Sequence, residues 1–309
     1  MASGSCLITF AAMRPLRALI IYILVVFLGG ALFAPWLYWL VHTVAASFPK
    51  LAHTPFHRFV DRSMLLLAFA GLWPLLRQLG ARSAGDLGLI RPSGQCQKLC
   101  AGFVLGFISL AALAGLALAG GGRAFQSHLQ FSQIIETLLS AALTALAVGV
   151  LEEILFRGGI FGGLRRVFRW RWALVVSSAI YAIVHFLART NDPQTVAWNS
   201  GFGQLALMLG GFADWQTLIP GFFNLTLAGA LLALAYQRTG NLYFSIGLHA
   251  GWIFWLKSYG ALTTETPHAN LWLWGSGRMI DGWVALGVLS LTLIVFLQLR
   301  PAEKAIPTA

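Results

Sequence analysis

The feature that most constrains this chain is a series of long apolar runs separated by short polar loops. A membrane-spanning helix needs about 20 predominantly apolar residues, with a range of roughly 17–25. Eight runs approach that requirement, near 18–42, 63–76, 99–119, 134–158, 173–188, 216–237, 241–256 and 280–299. The second and seventh are short, and either tilt little, re-enter, or borrow flanking residues. The region 200–215 is apolar but rich in glycine and reads as a loop or a re-entrant piece. Composition supports this reading. Of 309 residues, 58% are hydrophobic and only 10% charged, against about 45–50% and about 25% in soluble domains. A water-soluble globule and a disordered chain are both excluded, because so little polar surface cannot cover so much apolar area. The expected fold class is all-α: a polytopic membrane protein of about eight transmembrane helices around a polar intramembrane cavity.

The net charge is +11. The basic residues form no continuous stripe of the kind a nucleic-acid surface needs. They sit in loops, and most fall on one side of the expected spans: Arg14 and Arg17, then Arg77, Arg82, Arg91 and Lys98, then Arg165, Arg166, Arg169 and Arg171. Cytoplasmic loops carry such an excess. We expect an integral, multi-pass protein with both termini in the cytoplasm, most naturally in a bacterial inner (plasma) membrane. Its surroundings are then the lipid bilayer, and no nucleic-acid partner is expected. The N-terminal run is about 25 residues, longer than the 7–15 of a signal-peptide core, and reads as a retained first span. Loop 77–98 carries a short Leu/Ile pattern that stops at Arg91-Pro92, and an interfacial helix near 80–92 is expected there.

Other features take ordinary explanations. Cys6, Cys96 and Cys100 form no even disulfide framework and no zinc set, and read as small buried fillers. Gly158, Gly159, Gly162 and Gly163 have the small-x-x-x-small spacing of packed helices. Tryptophans such as Trp36, Trp39, Trp73, Trp170, Trp172, Trp272 and Trp274 read as interfacial belts. Asp214 and Asp281 precede helices, where a negative charge is favoured.

The informative residues are charges inside apolar runs. The fourth run, LLSAALTALAVGVLEEILFRGGIFGGL, holds Glu152, Glu153 and Arg157. A charge at the bilayer centre costs roughly 2.5–3.5 kcal/mol on insertion scales, so such groups face the bundle interior or a wet cavity. Glu153 and Arg157 are four apart and share a helix face. Glu152 is turned about 100° from its neighbour. One carboxylate is then neutralised by the arginine, and the other is left to accept a proton as a general base. The fifth run places His185 one turn after Tyr181, and the seventh carries His249 mid-span. Imidazole is both a proton shuttle and the commonest metal ligand. Three helices thus present groups that can hold and deprotonate a water, with a metal or with glutamate as the base.

These motifs in this order resemble the CPBP family, the CAAX-protease and bacteriocin-processing intramembrane proteases. That family includes type II CAAX prenyl endopeptidases and the bacterial "abortive infection" proteins. The resemblance rests on Glu152-Glu153-x-x-x-Arg157, on Tyr181-x-x-x-His185, and on His249 within NLYFSIGLHAGW, and covers about residues 130–257. It implies a helical core with a cavity open to the cytoplasm and cleavage, near the membrane face, of a peptide bond in a membrane-associated peptide or protein substrate. Segment 131–260 would be the catalytic core, after N-terminal spans in 1–130 and before a last span and tail in 261–309, all in one structural unit. By the same resemblance Glu152 activates water, Glu153 and Arg157 are its partner pair, and His185 and His249 are the active-site histidines. In the family these histidines are described either as zinc ligands, with Glu152 a third candidate, or as groups that position water and stabilise the oxyanion. Two positions depart from the pattern. Tyr181 stands where Phe is usual and brings a hydroxyl that wants a partner. Ile253 stands where many members have Asn four residues after the last histidine; Asn224, Asn241 and Ser245 are candidates to replace its polar function. Two other functions stay open at this point: a catalytically silent scaffold or regulator of the same family, motivated by Ile253, and a proton-coupled transporter using the same buried charges.

Overall fold

The structure, a computed structural model, describes residues 17–44, 54–187 and 192–299. The expected apolar runs are all helical: α1 (Arg17–Val44), α2 (Phe56–Gln78), α3 (Cys96–Ala119), α4 (Phe131–Leu164), α5 (Trp170–His185), then a shorter α6 (Ser200–Met208), α7 (Trp215–Thr239), α8 (Tyr243–Leu262) and α9 (Trp283–Gln298). Among the described residues the one sheet is a two-stranded antiparallel ribbon, β1 (Arg123–Phe125) against β2 (Thr263–Glu265), with Ala124 opposite Thr264. The protein is an all-α polytopic membrane protein. Five helices, α1 to α4 and α7, are long and apolar enough to cross a membrane by themselves. α9 is apolar but has 16 residues, about 24 Å of rise against a hydrocarbon core of about 30 Å.

Contacts group the chain into two compact units: Met1–Arg82 with Phe186–Ala213, and Ser83–His185 with Asp214–Ala309. In the first, α1 and α2 pack through small residues. A Cβ on Gly30 would lie 2.6 Å from Met64 Cγ, and the Tyr22 hydroxyl donates to the Ala68 carbonyl at 2.8 Å. The region 200–215 departs from the expected loop. Ser200–Met208 is helix, continued by a 3₁₀ turn at Leu209–Phe212. The glycine content that suggested a loop instead lets two backbones meet, since a Cβ on Gly201 would lie 1.8 Å from the Ala31 carbonyl oxygen.

In the second unit, α8 lies between α3 and α4. Lipid tails supply no hydrophobic drive between helices, so close packing of small residues must hold them. A Cβ on Gly102 or Gly106 would stand 2.2 Å from the carbonyl oxygens of Phe244 and Leu248. One on Gly247 would stand 2.0 Å from that of Leu99, and one on Gly251 2.6 Å from that of Phe103. On its other side α8 meets α4, whose buried residues ahead of Glu152 are the small Ala141, Ala145 and Gly149. Leu231, Leu232, Leu248 and Phe296 form the apolar centre where α3, α7, α8 and α9 converge.

Several local readings need correction. The expected interfacial helix at 80–92 is a single 3₁₀ turn, Ala84–Leu87, started by a Ser83/Asp86 capping box. It ends at Gly88, whose φ of 80° and position against the Tyr236 ring exclude a side chain. Cys96 and Cys100 are exposed rather than buried, and face each other at 3.9 Å on the first turn of α3. Cys6 lies outside the described residues. Asp281 does not act on a helix start; it accepts from the Ser276 backbone and hydroxyl and braces the turn before α9.

Candidate active site

α4 changes its winding at the charged motif. It is α-helical through Glu152 and π-helical over Glu153–Phe161. Wider turns of this kind recur at functional sites. Here the widened segment carries Gly158, which lets neighbouring backbone approach: a Cβ there would lie 3.0 Å from the Leu87 carbonyl oxygen.

Glu153 is fully buried and its Oε1 accepts twice, from Arg157 Nη1 at 2.9 Å and from His249 Nδ1 at 2.9 Å. The expected i, i+4 pair therefore forms and extends to α8. Arg157 is also buried. Its guanidinium carbon lies 4.4 Å from the centre of the Tyr181 ring and 5.8 Å from that of Phe156. Nη2 reaches toward the Gly229 carbonyl at 3.5 Å. The positive charge is thus met by a carboxylate and by aromatic faces, as a desolvated cation requires.

Glu152 is disposed differently. Its side chain is 27% exposed, and Oε2 lies 3.8 Å from His185 Nε2 and 3.8 Å from His249 Nε2. That oxygen has no direct hydrogen-bond partner. His185 Nδ1 donates to the Tyr181 carbonyl at 2.7 Å, and His249 Nδ1 donates to Glu153. A neutral ring whose Nδ1 donates in this way keeps a lone pair on Nε2, and both Nε2 atoms face the space beside Glu152. The Tyr181 hydroxyl completes the group, 3.3 Å from His249 Nε2. Glu152, Glu153, Arg157, His185 and His249, drawn from α4, α5 and α8, are therefore one cluster.

The position of interest after His249 is apolar in surroundings as well as identity. Ile253 is buried with Ala145 and Ala250, against Val148 and Phe254. The candidates to replace an amide there are engaged elsewhere. Asn224 donates to the carbonyls of Ile280 and Gly282. Asn241 braces the turn at Thr239, and Ser245 donates to the Leu242 carbonyl. What sequence reasoning missed is the support. The paired glycines flanking His249 at positions 247 and 251 seat α8 on α3, and their Gly-x-x-x-Gly spacing was the available signal. Gly229 does the same for α5, since a Cβ there would lie 3.2 Å from the Tyr181 ring.

The donor chemistry, one carboxylate and two imidazoles, suits zinc. The Nδ1–H bonds to a carboxylate and a carbonyl are the outer contacts that metal-bound histidines make. As placed, the 3.8 Å spacing exceeds by about 0.4 Å the edge of a tetrahedron with zinc bonds of about 2.0–2.2 Å. Among the described residues no group of three such side chains stands close enough to hold a metal without adjustment.

Residues 134–255 match the family model described as type II CAAX prenyl endopeptidase Rce1-like. No curated protein and no solved structure matches the chain.

Proposed function

We propose, from the match of residues 134–255 to the Rce1-like type II CAAX prenyl endopeptidase family model, that the protein is an intramembrane protease that hydrolyses a peptide bond in a membrane-associated or lipidated peptide. The observation that carries the reading is the position of Glu152 Oε2, unpartnered and 3.8 Å from two imidazole Nε2 atoms.

A water in that space is held by His185 and His249 and gives its proton to Glu152 as its oxygen attacks the scissile carbonyl carbon. The same carboxyl then returns the proton to the leaving nitrogen as the C–N bond breaks. Glu153 fixes the tautomer of His249 and keeps the buried Arg157 paired. If zinc binds, Glu152, His185 and His249 are its ligands, and the ion would acidify the bound water and polarise the carbonyl. Both termini face the cytoplasm in this reading, within a bacterial inner membrane.

The test compares wild type with Glu152→Gln, purified in detergent, on a quenched lipidated-peptide library, with metal content measured on the same samples. We expect a loss of roughly 10²–10⁴-fold in the variant; unchanged cleavage would refute the reading. About one zinc per active chain would assign the metal role to the three ligands above. A second reading, a catalytically silent scaffold, draws support from the apolar seat of Ile253. It expects a partner captured equally by wild type and by His185→Ala, with no cleavage by either.

A further inference from the structure

Hydrolysis at this cluster needs a hydrogen-bond donor as well as a base. Attack on the carbonyl moves its π electron pair onto oxygen, and a fixed donor aimed at that oxygen is commonly the largest single catalytic contribution. Most groups of the cluster cannot serve. Glu152 is an acceptor. His185 and His249 spend their Nδ1 protons on the Tyr181 carbonyl and on Glu153, which leaves two acceptor Nε2 atoms. Arg157 is engaged with Glu153 and the Gly229 carbonyl. Ile253, one turn past His249, lies in an apolar pocket. The remaining donor is the Tyr181 hydroxyl, whose contact with His249 Nε2 at 3.3 Å is long enough to be given up readily.

Resting on the endopeptidase reading above, we propose that Tyr181 donates the hydrogen bond that stabilises the tetrahedral oxyanion. The ring is already held for that task. It meets Phe156 edge to face at 5.0 Å and 88° and lies beneath Arg157 at 4.4 Å, so its oxygen needs little reorganisation. In the step, the water oxygen bonds to the carbonyl carbon and its proton passes to Glu152. The π pair becomes the oxyanion lone pair, and Tyr181 keeps its proton while sharing it. When that pair returns, the C–N bond breaks and the nitrogen takes the proton from Glu152.

The experiment uses the full-length protein and a lipidated peptide that wild type cleaves, with its analogue thionated at the scissile carbonyl. Tyr181→Phe is compared with wild type and with Glu152→Gln. The variant removes one oxygen and keeps the ring, so its unfolding temperature should match wild type. We expect kcat to fall roughly 10²–10³-fold with KM nearly unchanged. Because sulfur accepts hydrogen bonds weakly, wild type should discriminate against the thioamide, and Tyr181→Phe should lose most of that discrimination. An unchanged kcat in Tyr181→Phe beside an inactive Glu152→Gln overturns the proposal alone. A lower kcat with unaltered thioamide discrimination also overturns it, and assigns the hydroxyl to His249. An active Glu152→Gln overturns the underlying reading.

Discussion

Removing the charge of Glu153 tests the logic of the buried network most directly. Its Oε1 accepts from Arg157 and from His249 at 2.9 Å each, in a side chain with no solvent exposure. Glu153→Gln keeps the shape but leaves Arg157 as an uncompensated buried cation, and presents an amide N–H₂ where an acceptor was. Breaking a buried pair from one side costs roughly 3–5 kcal/mol, whereas replacing both partners with apolar groups is often neutral. Glu153→Gln should therefore be strongly destabilised, and Glu153→Gln/Arg157→Met should recover most of the loss. The double-mutant cycle should yield a coupling of roughly 2–3 kcal/mol in stability, measured by unfolding in detergent. Activity should not return with stability, because His249 still lacks the acceptor that fixes its ring. A loss below about 1 kcal/mol for Glu153→Gln, the range of an exposed pair, would refute the reasoning. So would a double variant as unstable as the sum of the single ones.

Two further outcomes follow from the glycine seam and from Glu152. Gly247→Ala places a Cβ 2.0 Å from the Leu99 carbonyl oxygen, so α8 must shift off α3; unfolding should come earlier by roughly 1–3 kcal/mol. Gly115→Ala, on the same α3 with nothing within 4 Å, should be neutral or stabilising by up to about 1 kcal/mol, and equal effects of the two would show that backbone approach is not what matters. Glu152→Gln should unfold as wild type does while losing cleavage, since its carboxylate supports no direct hydrogen bond at Oε2; a large stability change would give Glu152 a structural role.

The apolar helices were legible because bilayer thickness fixes an apolar length; each expected run falls largely on a helix, and five helices are long and apolar enough to cross a membrane. The cluster was legible for a related reason: Glu152, Glu153, Arg157, His185 and His249 are the groups that an apolar helix tolerates only with partners. What could not be read depends on contacts made across helices. The π-helical winding after Glu152 has no signature in the sequence, and within it Gly158 seats against Leu87. α6 is helical because Gly201 meets Ala31, although glycine alone argues against a helix. The 3₁₀ turn at Ala84–Leu87 is cut short by a glycine lodged on Tyr236. The exposure of Cys96 and Cys100 is set by which face of α3 its glycines turn toward α8.

Charge arithmetic in the cluster separates the roles of its two carboxylates. The charges of Arg157 and Glu153 cancel at 2.9 Å in full burial, while Glu152, the more exposed of the two glutamates, has only the imidazole Nε2 atoms at 3.8 Å beside it. The cancellation relies on the shape of arginine as well as its charge, because one planar group must reach Glu153 and also cover the Tyr181 ring at 4.4 Å. Lysine has neither the fork nor the plane. Arg157→Lys should keep the protein folded, with a loss of roughly 1–3 kcal/mol from the weakened charged hydrogen bonds and ring contact. Cleavage should fall further than that loss of stability explains, because Tyr181 is no longer covered and its hydroxyl moves relative to His249. Steady-state kinetics well below the unfolding transition separate the two effects. A kcat equal to wild type in a folded Arg157→Lys protein would mean that only the charge of Arg157 matters, and that the stacking geometry around Tyr181 contributes nothing to the reaction.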